Sequence, residues 1–167
     1  MGTAPPRPDP LSGRRVLVGI SGSIAAVKMP LVVSALVQRG ASVRCVLTPS
    51  AAQLVSAVAL ASLSRNACCL DADQWSHRAP RPLHVELAEW AELILLAPLS
   101  ATTLGRWVHG LGDSLLASVL LAAEAPVLAA TAMNTAMWSS PGARSNWQAL
   151  QGFERVLPLA PARGLLA

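Results

Sequence analysis

An asparagine set among methionine, threonine and tryptophan residues follows the apolar run "APVLAA", in the segment "TAMNTAMW" at 131–138. Asn134 can donate an amide hydrogen bond to a carboxylate, while Met133, Met137 and Trp138 can form polarizable apolar walls that exclude water. A core segment does not need the Asn, and an exposed loop does not need the Met and Trp. The segment therefore predicts the wall of a small-molecule pocket, with a strand-end loop packed by Met and Trp as the structural alternative.

Three other apolar runs end in hydroxyl side chains. The runs are "VLVGI" at 16–20, "SVRCVLT" at 42–48 and "LILLAP" at 93–98, and the hydroxyls that close or follow them are Ser21, Ser23, Thr48, Ser50, Ser100, Thr102 and Thr103. Neutral donors at helix starts suit a phosphate, although helix N-capping accounts for each turn taken singly. Together they predict a groove for a phosphorylated ring cofactor. NAD is disfavoured because the G-x-G-x-x-G spacing is missing and no acid follows the second run to bind a ribose.

The histidines and cysteines give weaker signals. His84 lies between apolar neighbours in "PLHVELAEW", a setting in which histidine is more often packed or half-exposed than functional, and His77 and His109 have weaker claims still. Cys45, Cys68 and Cys69 form no C-x-x-C motif and have no nearby histidine, so we interpret them as ordinary core or loop thiols and predict no metal site.

The hydrophobic pattern indicates an α/β fold with a doubly wound parallel sheet. We predict strands at 16–20, 42–48, 93–98, within 126–134 and at 155–161, helices at 24–40, 49–63, 83–92 and 145–153, an irregular segment at 66–82, and a partly helical stretch at 99–125 broken at Gly105, Gly110 and Gly112. Strands that are apolar along their whole length belong to a sheet covered on both faces. Ligands of such sheets bind at the carboxyl ends of the strands, where the polar residues described above are expected.

Composition predicts one domain at 14–167, preceded by a disordered arm at 1–13 that has no apolar signal-peptide region. The chain is 53% hydrophobic and only 13% charged, about half the usual charged share of roughly 25%, which favours a homo-oligomer. The longest apolar stretch ends at Glu124, too early to span a membrane, so we expect a cytoplasmic protein. The net charge of +4 is scattered, and we expect no nucleic-acid or membrane partner.

The segments "GISGSIAAVK", "LHVELAEWAELILLAPLSATTLG", "GLGDSLL" and "AMNTAMW" resemble the homo-oligomeric flavin-containing cysteine decarboxylases, from about Val16 to Pro161. That family includes phosphopantothenoylcysteine decarboxylase and enzymes that oxidatively decarboxylate the C-terminal cysteine of a precursor peptide. The resemblance implies a flavodoxin-like three-layer sandwich, FMN rather than FAD, and sites between the subunits of trimers that often stack into dodecamers.

The resemblance also implies residue roles. His84 would be the active-site histidine, Asn134 would hold the substrate carboxylate, and Met137 and Trp138 would line the substrate pocket. The cofactor contacts would be Gly22, Ser23, Ile24, Thr48, Ser50, Ser100, Ala101, Thr102, Thr103, Asp113, Ala132 and Met133. In these motifs, Thr131 stands where the family usually has a proline, and Thr102 stands where its flavin loop has an asparagine.

The implied chemistry is the loss of CO₂ from a cysteine carboxylate. An oxidised flavin that accepts a hydride from the cysteine Cβ leaves a thioaldehyde, whose C=S group takes the electron pair as CO₂ departs and becomes an enethiol. His84 would act as general base or relay for the thiol proton. Leu87, Ala88, Glu89 and Trp90 stand where the coenzyme A enzymes have Leu-Arg-Arg-Trp, which favours a peptide substrate. Phosphopantothenoylcysteine decarboxylase, a non-catalytic flavin-binding subunit and, more distantly, a flavin prenyltransferase remain alternatives.

Overall fold

A computed structural model describes residues 9–75 and 80–162 of the chain. Its centre is a sheet of six parallel strands, β1 (Arg15–Ile20), β2 (Ser42–Leu47), β3 (Cys68–Leu70), β4 (Leu93–Leu99), β5 (Val127–Thr131) and β6 (Val156–Leu159). Their order in the sheet is β3-β2-β1-β4-β5-β6. The predicted α/β class with a doubly wound parallel sheet is confirmed.

Helices connect the strands on both faces of the sheet. They are α1 (Met29–Gln38), α2 (Ala57–Ser64), α3 (Leu83–Trp90), α4 (Ala101–Val108), α5 (Leu115–Ala122), α6 (Thr135–Ser139) and α7 (Pro141–Leu150), with short 3₁₀ helices at Ile24–Lys28, Ala51–Gln53 and Asp71–Asp73. One buried cluster joins the sheet to α3, α4, α5 and α7, and a second joins β1 and β2 to α1 and α2. Because the central strands contribute side chains to both clusters, they are apolar at nearly every position.

Several predicted elements differ from the observed ones. The helix predicted at 49–63 is interrupted, because the 3₁₀ turn Ala51–Gln53 ends before α2, which begins at Ala57 after its N-cap Ser56. The helix predicted at 24–40 begins as a 3₁₀ helix and becomes α-helical only at Met29, where Pro30 occupies the first turn. The segment at 66–82, predicted to be irregular, contains β3, whose three residues are too short to show a strand pattern. Gly105, a predicted break, lies inside α4, while the chain between α4 and α5 does break at Gly110 and Gly112.

The start of the described chain packs on the domain. Of the arm predicted at 1–13, residues 1–8 lie outside the described residues, and residues 10–13 form a turn. Leu11 contacts the α1–α2 side of the core, and the Asp9 carboxylate lies 2.8 Å from Arg39 Nε. That guanidinium and the Leu11 N–H both donate to Asp9 and hold the pKa of its carboxyl below the usual value. In these described ranges, no helix combines the length and the apolar character needed to cross a membrane.

Candidate active site

The strand order reverses between β1 and β4, and this is the point at which doubly wound sheets form a ligand crevice. β1 continues through α1 to β2 on one side, while β4 lies on its other side. Ser21, directly after β1, joins the two strand ends. Its fully buried hydroxyl donates to the Pro98 carbonyl at 2.6 Å and accepts from the Ser100 N–H at 2.8 Å. The hydroxyl therefore fixes the floor of the crevice.

Replacing Ser21 with alanine should destabilise the protein by about 1–3 kcal/mol, because the buried Ser100 N–H would lose its acceptor. Denaturant unfolding of the two proteins measures the difference. Ser62→Ala is the matched control, since its hydroxyl bonds to Val58 on an exposed helix surface, and it should change stability by less than about 0.5 kcal/mol. Equal stabilities of Ser21→Ala and Ser62→Ala would show that the bridge between β1 and β4 is unimportant.

The loops after β1 and β2 meet at Gly22 and Ser50. A Cβ atom at Gly22 would lie 2.5 Å from the Ser50 Cβ, so only glycine allows this approach. Thr48 is buried, and its Oγ1 accepts from the Ala51 N–H at 3.3 Å. Within the described residues, neither the Ser23 nor the Ser50 side chain caps the short helix that follows it. Helix N-capping, the structural alternative given for each turn, is therefore not a role of either hydroxyl, and Ser50 Oγ lies 3.3 Å from the position that a Gly22 Cβ would take.

The N-terminus of α4 forms the β4 side of the crevice. Ser100 is its N-cap, and the Ser100 hydroxyl accepts from the Thr103 N–H and donates to Thr103 Oγ1, both at 3.3 Å. Ala101 and Thr102 occupy the first turn, where backbone N–H groups have no partner in the helix itself and favour an anion. The structure therefore brings the predicted hydroxyls of β1, β2 and β4 to one edge of the sheet.

The segment after β5 forms a short helix that was not predicted. Asn134 caps α6, and its Oδ1 accepts from the Met137 N–H at 2.8 Å. Only the amide NH₂ remains as the donor that could hold a carboxylate. The Ala132 N–H bonds to the Leu99 carbonyl and ties this segment to β4. Met133 packs partly against the core.

The Met137 and Trp138 side chains of α6 differ in their surroundings. Met137 is exposed, and its predicted role as a wall of the substrate pocket stays a prediction. The Trp138 ring packs edge-on against Trp147 at 5.1 Å between centroids, with the Arg144 guanidinium 5.9 Å from its centre. Trp138 thus anchors α6 to α7, and its predicted role in lining the substrate pocket stays a prediction.

His84 lies in the first turn of α3, beside the segment that follows β3. It is partly buried, and its Nδ1 lies 3.5 Å from Nε2 of Gln74. Gln74 follows β3, whereas Asn134 follows β5, four positions away in the sheet order. At a strand spacing of about 4.8 Å, the corresponding strand ends are on the order of 19 Å apart. By this estimate the strand ends that precede Gln74 and Asn134 do not meet within one chain.

Asp113 also lies on the His84 side, in the connection between α4 and α5. Its carboxylate is 2.9 Å from Arg106 Nε and is more than half exposed. Two residues later, the Leu115 N–H bonds to Asp71, which follows β3. Within one chain, Asp113 is therefore associated with the β3 end rather than with the crevice between β1 and β4, and its predicted contact with the cofactor stays a prediction. His109 bonds to Asn146, and His77 lies outside the described residues.

Two polar side chains near the strand ends were not predicted as site residues. Thr131 ends β5, and its Oγ1 is buried with no hydrogen-bond partner in the described parts of the chain. Such a hydroxyl is costly unless a ligand or water satisfies it. The signal in the sequence that could have indicated Thr131 was the threonine itself, at a position where the family usually has a proline. Gln74 gave no signal, because its contact with His84 depends on how α3 packs.

The crevice fits the phosphate end of a flavin mononucleotide. Gly22 lets the β1 loop approach Ser50 closely, and the surrounding donors are hydroxyls and N–H groups at the α4 N-terminus. Ile24, which follows the β1 turn, and Met137, which follows β5, are exposed apolar side chains that can contact an isoalloxazine ring. Among residues 9–75 and 80–162, no group of three or more His, Cys, Asp or Glu side chains is arranged to hold a metal ion.

The cysteines lie in the sheet and away from the crevice. Burial raises the pKa of Cys45 to about 12 and that of Cys68 to about 12, and it also raises the pKa of Cys69. Thiolates are the reactive form, so at pH 8 the Cys45 and Cys68 side chains are neutral and unreactive. These residues are therefore packing residues.

Cys45 and Cys68 should resist iodoacetamide at pH 8 in the folded protein and react fully after denaturation in guanidinium. Because the neutral thiol is favoured below the raised pKa, protection should persist across the neutral range and fall only in strong alkali. Mass spectrometry of tryptic peptides measures the labelling. Rapid labelling of Cys45 in the folded protein at pH 8 would contradict its placement in the core.

The family model of the Flavoprotein family matches residues 6–167, and the chain belongs to that family. The predicted flavin cofactor is thereby confirmed. Within the family, the chain is 37% identical over 158 residues to the coenzyme A biosynthesis bifunctional protein CoaBC of Bacillus subtilis. The aligned region covers 94% of this chain and 38% of CoaBC. It is 43% identical over 137 residues to phosphopantothenoylcysteine decarboxylase of Mus musculus, covering 76% of the chain and 63% of that enzyme. The chain thus spans less than two thirds of either relative.

Solved structures agree with these relatives. The FMN-dependent cysteine decarboxylase SpaF superposes with a TM-score of 0.80 at 31% identity, covering 89% of this chain and 85% of SpaF. A PPC decarboxylase mutant complexed with pantothenoylaminoethenethiol superposes with a TM-score of 0.78 at 32% identity. The superposition covers 90% of this chain and 83% of the mutant chain. The predicted flavodoxin-like fold and the resemblance to flavin-containing cysteine decarboxylases are confirmed, and the FMN-dependent neighbour agrees with FMN as the cofactor.

Proposed function

We propose that the protein is an FMN-dependent decarboxylase of a cysteine carboxylate. The observation that carries this proposal is the joining of the β1, β2 and β4 ends into one hydroxyl-rich crevice by Ser21 and Gly22. Ser23, Ser50, Ser100 and the first turn of α4 would hold the phosphate end of FMN. When bound, FMN supplies an acceptor for the two electrons that leave the cysteine side chain.

The chain itself contributes binding and proton handling. The Asn134 amide NH₂ donates to the substrate carboxylate, since its carbonyl oxygen is held by the Met137 N–H. Met133 and Met137 exclude water from that carboxylate, which weakens its solvation before CO₂ leaves. His84 interacts with the substrate sulfur, whose proton must be removed before the carbon next to it can be oxidised.

The substrate that the relatives favour is phosphopantothenoylcysteine. CoaBC is a protein of coenzyme A biosynthesis, and the Mus musculus enzyme is a phosphopantothenoylcysteine decarboxylase. Their identities to this chain, 37% and 43%, exceed the 31% of the cysteine decarboxylase SpaF. This evidence supports the alternative more strongly than the peptide substrate that the sequence pattern favoured.

A peptide ending in cysteine is the second candidate, and one feature of α3 favours it. Glu89 carries a negative charge where the coenzyme A enzymes have an arginine, and Arg81 binds it at 2.7 Å. Donation by Arg81 holds the pKa of the Glu89 carboxyl below its usual value. The pair thus offers little excess positive charge to a phosphorylated substrate.

Incubation of the FMN-loaded protein with each substrate tests the proposal. Phosphopantothenoylcysteine and a short peptide with a C-terminal cysteine are followed by CO₂ release and mass spectrometry. An enethiol product has lost the mass of CO₂ and two hydrogen atoms, whereas a saturated thiol has lost CO₂ alone. If the protein binds flavin but releases CO₂ from neither substrate, the proposed decarboxylase activity is contradicted. That result would support a non-catalytic flavin-binding subunit.

We propose further that the protein is a homo-oligomer, a trimer or a multiple of one, whose active sites lie between subunits. The estimated separation of about 19 Å between the strand ends that precede Gln74, the neighbour of His84, and Asn134 supports this, because both residues would have to reach one substrate. An apolar face supports it too. Leu157 and Leu159 of the edge strand β6 are 63% and 45% exposed and lie on the same face as their neighbours Leu128 and Ala130.

Leu157→Glu should dissociate the assembly, because a charge on this apolar face cannot be buried without a partner. Light scattering after size exclusion should give a trimer or larger for the wild type and a mass near 17.3 kDa for the variant. Ala149→Glu, on the exposed surface of α7, is the control and should keep the wild-type mass. A wild-type mass near 17.3 kDa at every concentration would contradict the oligomer.

A further inference from the structure

A buried glutamine contacts the histidine of the candidate active site. Gln74 is only 7% exposed, and it follows the 3₁₀ turn after β3. That turn is tied down at both ends, since Asp71 accepts from the Leu115 N–H at 2.9 Å and Asp73 accepts from the Leu70 N–H at 2.7 Å. The position of the Gln74 side chain is therefore set by the fold rather than by solvent.

The orientation of the Gln74 amide follows from its second neighbour. Its Nε2 lies 3.3 Å from the Ser118 hydroxyl, and that hydroxyl donates its own proton to the Gly112 carbonyl at 3.0 Å. With its proton committed, the Ser118 oxygen can only accept. The amide group facing it must be the NH₂ and not the carbonyl.

The same NH₂ group faces Nδ1 of His84 at 3.5 Å. A neutral imidazole has one N–H and one lone pair, and only the lone pair can accept from an amide donor. Nδ1 is then the bare nitrogen, and Nε2 carries the proton. The Trp75 ring, edge-on to the imidazole at 6.0 Å between centroids, limits rotation of the ring.

We propose that Gln74 is a positioning residue that holds His84 as the neutral tautomer with its proton on Nε2. The use of that tautomer rests on the proposed function: His84 meets the substrate sulfur as a hydrogen-bond donor, which favours the thiolate over the thiol. Gln74 touches neither substrate nor cofactor and acts only through His84.

Neutron diffraction from a deuterium-exchanged crystal of the flavin-loaded wild type tests the tautomer directly. The proposal requires deuterium on Nε2 of His84, none on Nδ1, and an amide deuteron of Gln74 directed at Nδ1. Deuterium on Nδ1 would overturn it. This measurement needs no substrate and no variant, so it decides the proposal even if the protein decarboxylates nothing, an outcome that would end the proposed function alone.

Gln74→Glu tests the consequence for catalysis. A carboxylate can only accept from the histidine, so Nδ1 would gain the proton and the tautomer would be reversed. With the cysteine substrate that the wild type uses, kcat/KM should fall at least about tenfold while the flavin content stays full. Gln148→Glu, the same change on the exposed face of α7, is the control and should keep wild-type kcat/KM. Wild-type kcat/KM in Gln74→Glu would overturn the positioning role.

Discussion

His84→Asn should reduce decarboxylation of the cysteine substrate by about 10²–10⁴-fold while the purified protein keeps its bound flavin. The substitution removes the imidazole N–H that meets the substrate sulfur and favours its thiolate, and groups that promote removal of a substrate proton contribute about this much to rate. Flavin binding should survive because the crevice at Gly22 and Ser100 lies on another part of the sheet edge. CO₂ release and the visible spectrum of the same sample measure the two properties.

His109→Asn is the matched control for this experiment. His109 ends α4 and bonds to the Asn146 side chain at 3.1 Å on the protein surface. The control should turn over at the wild-type rate. Full activity in His84→Asn would remove His84 from the mechanism, and loss of flavin from His84→Asn would mean that the histidine serves cofactor binding instead.

Gly22→Ala should weaken flavin binding about fivefold to 150-fold. The added methyl carbon would lie 2.5 Å from the Ser50 Cβ, which is close to the backbone and cannot rotate away. Relieving this overlap moves the β1 and β2 loops apart, at a cost of about 1–3 kcal/mol, and takes the hydroxyls away from the phosphate. Fluorescence titration of the apoprotein with FMN measures the affinity.

Gly142→Ala provides the control, since a Cβ atom there has no neighbour within 4 Å. Its affinity for FMN should equal that of the wild type. Thermal unfolding of both apoproteins separates a local effect on the crevice from general destabilisation. Unchanged FMN affinity in Gly22→Ala would show that the two loops do not form the phosphate site.

The sheet was predictable because its inner strands are buried on both faces. Continuous apolar runs such as "VLVGI" and "LILLAP", each followed by turn residues, are typical of buried parallel strands in a short α/β chain. β3 was missed because Cys68–Leu70 is only three residues long and owes its extended form to pairing with Cys45, Val46 and Leu47. Helix α6, five residues long, was also missed, although Asn134 before "TAMW" is an N-cap signal that could have indicated it.

The candidate site was predictable where chemistry follows directly from a strand end. Gly22, Ser50 and Ser100 lie next to strands whose carboxyl ends must share an edge, so sequence order alone brings them together. Ser21 was noticed only as part of a turn, because its bonds to Pro98 and Ser100 span more than 75 residues of chain. The contact between Gln74 and His84 depends on the packing of α3 beside α5, which no local pattern encodes.

Chromatography of the cofactor released from the purified, denatured protein tests the central claim that the β1–β4 crevice holds a flavin. We predict FMN at one molecule per chain, either as purified or after reconstitution, and a proportionate loss in Gly22→Ala. Protein that stays colourless after incubation with both FMN and FAD would contradict the claim.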